Sequence, residues 1–216
     1  MSGCGGTFRI VRGMTSDPLP AHSLAEAYMY LMATPCPNCG KGPLHGDDAR
    51  PTPETNRVLL TVPTQCGACS HWQDFVFSVE GDLLSVQAQQ AAGIGVRVNA
   101  SHHASRIIDV AQWILLFRMI SEAAARVEDK QDTRLLGYEA AQCLEEALKF
   151  YGADNDLPPD RALFHESSRQ RRRDYPQEFS RERLIELRAK LPTLEVMEAS
   201  RFVSRKEKKR WWAPWR

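Results

Sequence analysis

The chain has 216 residues, 43% of them hydrophobic and 25% charged, with six cysteines and a formal net charge of +1. That balance suits a globular fold, excludes a low-complexity or disordered chain, and holds too few cysteines for a disulfide scaffold. The opening MSGCGGTFRIVRG has no signal-type apolar stretch, and the most apolar run, Val110 to Ile120, is broken by Gln112 and Arg118 and is too short to span a bilayer, so a cytoplasmic, reducing setting is expected.

The near-neutral total hides an asymmetry. Residues 161–216 carry 16 Lys/Arg against 8 Asp/Glu, a net +8, which leaves −7 on residues 1–160. A basic end on an acidic body points to an anionic partner, or to the acidic face of a neighbour or of the body itself.

In chain order, residues 1–20 read as a loose leader, with GCGG and SDPLP as breakers. AHSLAEAYMYLMAT predicts a short helix, capped by Ser23, with Leu24, Ala27, Tyr28 and Leu31 on one face and Pro35 ending it. Residues 36–90 are expected to be β-rich. NRVLLTV puts Val58, Leu60 and Val62 on one side of a strand, and HWQDFVFSV does the same with Phe75, Phe77 and Val79. EGD offers a hairpin turn into a further strand, LLSVQA. A proline-rich loop holds Pro43, Pro51 and Pro53. AAGIGVRV has Gly93 and Gly95 but lacks the third glycine of a dinucleotide loop, so it reads as a strand entry or turn.

From about Ser101 the pattern turns helical. HHASRIIDVAQWILLFRMISEAAARV predicts a buried central helix, with His102 and His103 at its polar start. DTRLLGYEAAQCLEEALKFYG predicts a second, capped by Asp132 or Thr133 and closed by Gly152, with Cys143 on its apolar face. PPDRALFHESSRQRRRDYP predicts a third with Pro159 in its first turn, and SRERLIELRAKLP a fourth between a Ser180 cap and a Pro192 stop. The remainder reads as a helix running into a tail. The expected architecture is α+β, in four parts: a leader with a short helix (1–33), a metal-binding β module with hairpins (34–98), a domain of four to five helices (99–192), and a C-terminal helix with a basic, Trp-rich arm (193–216).

Two C-x-x-C pairs carry the strongest chemical signal. Cys36 and Cys39 form one, and Cys66 and Cys69 the other. Two thiolates separated by two residues fit inside one tight turn, and Gly40 and Gly67 suit the left-handed backbone such a turn needs. Two facing turns supply four soft ligands in a tetrahedron, the arrangement Zn(II) prefers, with iron the alternative metal. A redox dithiol would want a helix amino end, whereas Cys66 lies between predicted strands. Once four sulfurs close the site, no position is left for substrate, and His45 and His71 are expected around the ligands rather than among them.

Residues 34–80, through CPNCG, CGACS and the flanking strands, resemble the zinc-ribbon superfamily, including rubredoxin-like modules. The resemblance implies structural cysteines and a setting in which many members bind nucleic acid or sit in transcription and translation machinery. The 26-residue spacer between the pairs exceeds the usual 15–20, and the excess falls in the proline-rich loop. A β module this small is expected to draw on the order of 10 kcal/mol of folding free energy from its metal.

The second signal is a pair of basic runs, RQRRRD (169–174) and RKEKKRWWAPWR (205–216). Arg205, Lys206, Lys208, Lys209 and Arg210 adjoin Trp211, Trp212 and Trp215. Cations beside flat rings suit a protein groove, single-stranded nucleic acid or an anionic membrane surface. The alternative is a helix end whose tryptophans fold back on the chain's own core. A protein partner is favoured, because Pro214 stiffens the motif and Glu207 interrupts the charge. In the nucleic-acid alternative the ribbon adds Lys41, Arg50 and Arg57. GKGP at 40–43 is no phosphate loop, and Asp109, Glu122, Glu145 and Glu146 have no evident partner for acid–base work. No catalytic residue and no small-molecule substrate are assigned. The expectation is a non-enzymatic zinc-ribbon accessory or adaptor protein, then a nucleic-acid-binding factor, and distantly a rubredoxin-like electron-transfer subunit. Cys4 has no assigned role.

Overall fold

The computed structural model describes residues 17–81, 83–92 and 97–193. It is a mixed α/β protein with an N-terminal sheet followed by several helices. A short strand β1 (Leu19–Ala21) leads into helix α1 (Leu24–Ala33). Ser23 caps α1 as expected, its Oγ accepting from Glu26 N at 3.0 Å, which satisfies one of the donors a helix start leaves open. Leu24, Ala27, Tyr28 and Leu31 form its buried stripe.

Strands β2 (Leu44–Gly46), β3 (Arg50–Pro53), β4 (Arg57–Cys66) and β5 (Trp72–Glu80) complete the sheet. The order is β1-β5-β4-β2, with β3 also paired to β4. β4 and β5 form the antiparallel centre, Leu60 opposite Phe77 and Val58 opposite Val79. Val58, Leu60, Val62, Phe77 and Val79 are buried on its inner face, where Tyr30 of α1 meets Phe75 and Phe77 edge-on. The leader was expected to be loose. Instead β1 lies parallel to β5, Leu19 opposite Phe77, and as an edge strand it tolerates Pro20.

Past Gly81, whose φ of +118° turns the chain, the expected strand is a helix, α2 (Leu83–Ala92). Its anchors are Val86, fully buried, and Leu83, half-buried, three residues apart. The rest of the run is mostly Gln and Ala, good helix formers that alternation cannot place on two faces.

The central helix also starts later than its pattern suggests. α3 runs Val110–Arg126, opened by a capping box between Asp109 and Gln112. The preceding stretch stays irregular because side chains from two helices satisfy its polar groups. Ser23 Oγ donates to Val98 O, Val98 N donates to Gln142 Oε1, and Asn99 Nδ2 donates to Glu146 Oε2. Lys149 Nζ donates to the carbonyls of Asn99 and Ser101. His102 and His103 therefore lie in an exposed bend, not at a helix start.

α4 (Lys130–Leu148) is capped by Asp129, three residues before the expected Asp132, and its C-cap is Lys149 rather than Gly152. Trp113, Leu116 and Ile120 of α3 and Ala140, Cys143, Leu144 and Ala147 of α4 are buried. Cys143 sits in the core as expected, its Sγ 3.9 Å from Met29 Sδ on α1. Pro159 opens only a 3₁₀ turn, Asp160–Ala162, and α5 (Glu166–Asp174) follows it. α6 (Arg181–Ala189) has the predicted Ser180 cap. Buried residues of sheet and helices form one continuous core. No described helix is long and apolar enough to cross a membrane. The arm residues Arg205 to Trp215 lie outside the described residues.

Candidate metal centre

Each C-x-x-C pair closes into the same turn. Gly40 N donates to Cys36 O at 2.7 Å, and Ser70 N donates to Cys66 O at 2.8 Å. Cys36 N donates to Lys41 O at 2.5 Å, and Cys66 N donates to His71 O at 2.9 Å. In both knuckles the residue after the second cysteine is left-handed: Gly40 at φ +69° and Ser70 at φ +57°. The expectation that Gly67 takes that role is wrong. A Cβ at Gly67 would stand 2.8 Å from His45 Nε2, so any larger residue there would have to displace that ring.

The sheet brings the knuckles together. β2 leaves the first knuckle and pairs with the end of β4, so Leu44 lies opposite Cys66, and Gly67 N donates to Pro43 O at 3.0 Å. The long spacer is absorbed by β3 and the first half of β4. All four sulfurs lie within 4.8 Å of one another. Cys36 Sγ is 3.8 Å from Cys69 Sγ, and Cys39 Sγ is 3.7 Å from Cys66 Sγ. A tetrahedron with metal–sulfur arms of about 2.3 Å has edges of about 3.8 Å. The donor set therefore fits a four-thiolate metal site.

Donors converge on the sulfurs. Ala68 N donates to Cys66 Sγ and Asn38 Nδ2 to Cys69 Sγ; the sequence carried no signal for the Asn38 contact. Asn38, then the His71 amide, bring the Cys69 thiol down to about 6. At Cys39 the Lys41 amide acts in the same direction, but desolvation and the neighbouring sulfurs outweigh it and push the thiol up to about 12. Cys36 and Cys66 are buried, Cys39 is half-buried and Cys69 is exposed.

No family model matches this chain, and no curated protein or solved structure matches it.

Among the described residues, these four cysteines are the one group of three or more Cys, His, Asp or Glu side chains whose ligand atoms gather this closely. His45 packs against the second knuckle, and His71 supplies backbone contacts to it. Trp72, 55% exposed, adjoins the second knuckle; only its place next to His71 in the sequence hinted at this.

The RQRRRD run is not a free basic patch. Arg169 and Arg173 both pair with Glu166, Arg171 pairs with Glu178, and Arg172 with Asp160. Arg118 reaches Glu178 from α3 at 2.7 Å. Burial works against the Glu178 carboxylate, but Arg118 and Arg171 outweigh it and hold the group below the usual range. Arg173 and Arg169 do the same for Glu166.

Proposed function

We propose that Cys36, Cys39, Cys66 and Cys69 hold a structural zinc ion in a zinc-ribbon module. On this reading the protein is a non-enzymatic accessory or adaptor, cytoplasmic, whose basic, Trp-rich arm docks onto a protein partner. The supporting observation is the sulfur tetrahedron itself, with edges of 3.8 and 3.7 Å. Four thiolates complete the shell of a dication and leave no position for a substrate, so the ion braces the two turns rather than reacting. The braced turns form a rigid knob at one end of the sheet, with Trp72 exposed beside it. The paired arginines of α5 leave the arm as the main source of uncompensated positive charge at the C-terminal end, and its three tryptophans suit an anchor in a protein groove.

Elemental analysis of purified protein tests the first half: one zinc per chain is expected, and a red protein with visible absorbance marks iron instead. A pull-down from native lysate, with and without residues 205–216 and in parallel with nuclease, tests the second. Loss of a co-purifying protein on truncation, insensitive to nuclease, supports the adaptor reading. Retention of that protein by the truncated chain, or its loss on nuclease treatment alone, overturns it.

A further inference from the structure

We propose that Cys69 is a peroxide-reactive thiol resolved by Cys36, so that a hydroperoxide converts the four-cysteine centre into two disulfides crossing between the knuckles, Cys36–Cys69 and Cys39–Cys66. The release of metal that accompanies this rests on the zinc reading above; the thiol pairing rests on the sulfur geometry alone. Three observations converge. Cys69 is exposed while Cys36 and Cys66 are buried, so a small oxidant in water meets Cys69 first. Within a cluster whose sulfurs all lie inside 4.8 Å of one another, Cys36 Sγ, on the other knuckle, stands 3.8 Å from Cys69 Sγ, and the second cross-knuckle pair, Cys39 with Cys66, stands at 3.7 Å. A disulfide needs about 2.05 Å, so each pair closes by under about 2 Å of relative movement. Both knuckle tips are exposed turns, with Pro37, Asn38, Gly67 and Ala68 all at the surface, so this movement disturbs little packing.

The chemistry balances with the peroxide as sole oxidant. Cys69 Sγ, as thiolate, attacks one peroxide oxygen. An S–O bond forms, the O–O bond breaks, and hydroxide (alkoxide from an organic hydroperoxide) leaves. Cys36 Sγ, as thiolate, then attacks the sulfenic sulfur; the S–S bond forms, the S–O bond breaks and a second hydroxide leaves. The two sulfurs lose two electrons and the peroxide gains them. Cys39 and Cys66 repeat the sequence with a second peroxide. Disulfide sulfurs carry no thiolate charge, so the oxidised centre no longer holds a dication. Cys143, fully buried beside Met29, stays reduced.

The test uses the full chain. Metal content is measured first, which judges the zinc reading separately. Hydrogen peroxide is then added, released metal is followed with a chromogenic chelator, and disulfides are mapped by trypsin and mass spectrometry. Cys36 and Cys39 fall in peptide 13–41, and Cys66 and Cys69 in peptide 58–97. Cross-knuckle bonds join these two peptides, whereas bonds within each C-x-x-C leave them separate. The expected result is the joined pair, dimedone trapping of the early sulfenic acid on Cys69, and at least tenfold slower peroxide-driven oxidation in Cys69→Ser, with Cys143→Ser like wild type. Separate oxidised peptides, dimedone on another cysteine first, or wild-type rates in Cys69→Ser would overturn the proposal. The map and the trapping are read on wild-type protein, so they stand even if Cys69→Ser folds poorly, and they apply whether or not metal is found.

Discussion

Removing the metal should loosen the two knuckles and leave the sheet standing. A β module of this size was expected to depend on its ion for folding, but the sheet shares its core with α1 and the later helices. Val58, Leu60, Val62, Phe77 and Val79 are each at most 1% exposed. At about 1.5–3 kcal/mol per buried side chain, they stabilise the β4–β5 centre by on the order of 10 kcal/mol without any ion. Each knuckle, by contrast, is closed on itself by two backbone hydrogen bonds besides its sulfurs, and one more, from Gly67 N to Pro43 O, ties the second to the first. At about 1 kcal/mol net per bond, opening a metal-free knuckle costs only about 2 kcal/mol, a protection of roughly 30-fold against amide exchange. Bound metal, worth on the order of 10 kcal/mol, raises that protection towards the global limit. Hydrogen exchange before and after chelation is the assay. Residues 36–41 and 66–71 are expected to exchange fast after chelation, while 58–64 and 73–79 stay protected and the far-ultraviolet circular dichroism at 25 °C holds. Loss of helical signal on chelation, or exchange across the whole β4–β5 ladder, would refute the shared-core argument.

Gly46→Ala should destabilise the protein by about 1–3 kcal/mol, since the new Cβ would lie 2.9 Å from both Leu31 Cδ1 and Val62 Cγ1. Thermal denaturation should show a drop of several degrees, partly relieved by adding Leu31→Ala, so the double change costs less than the two single ones together. Gly67→Ala should weaken metal binding in chelator competition, and His45→Ala should restore it, because the added Cβ meets His45 Nε2; equal affinity of Gly67→Ala and wild type would count against the close approach. Burial pushes the Glu139 carboxyl from its ordinary 4.5 up to about 8. A raised carboxyl pKa favours folding fully below pH 4.5, and that support is lost as pH rises towards 8. Melting temperatures at pH 5 and pH 8.5 should therefore fall more in wild type than in Glu139→Gln, and parallel falls would contradict the assignment.

Features set by a few adjacent residues were legible in the sequence. Ser23 and Ser180 cap helices because each hydroxyl sits just before a helical run and accepts from the backbone N–H three positions on, Glu26 N and Arg183 N. The cysteine pairs were legible because their spacing alone encodes a turn. What escaped depended on partners distant in sequence. Residues 102–108 carry a helical pattern yet stay irregular, following a stretch held from over 40 positions away: Gln142 accepts from Val98 N, Glu146 accepts from the Asn99 side chain, and Lys149 donates to Asn99 O. β1 hides in a proline-flanked leader because a parallel edge strand needs only Leu19 and Ala21 to fit against β5. At the second knuckle the left-handed residue is Ser70, a type that gives no signal of positive φ, while Gly67, three residues earlier, invited the wrong assignment.

The arm's mode of binding can be decided by salt. Residues 205–216 hold six Lys/Arg and one Glu. If the six cations met phosphates of a single strand, the logarithm of affinity would fall with the logarithm of salt at a slope of about −4, a loss of several hundred-fold between 50 and 250 mM. If instead Trp211, Trp212 and Trp215 fill a protein groove, the charges sit on a rim that salt screens at a cost of at most tenfold. The arginines of α5 do not blur this contrast, being already paired with Glu166, Glu178 and Asp160. Titrating the captured partner against full-length protein across that salt range should therefore give a shallow slope, and Trp211→Ala with Trp212→Ala should cost far more affinity than Lys208→Ala with Lys209→Ala. A slope near −4, or the reverse ranking of the two double variants, would mean that charge rather than the aromatic rings makes the contact, and the adaptor reading would give way to the nucleic-acid one.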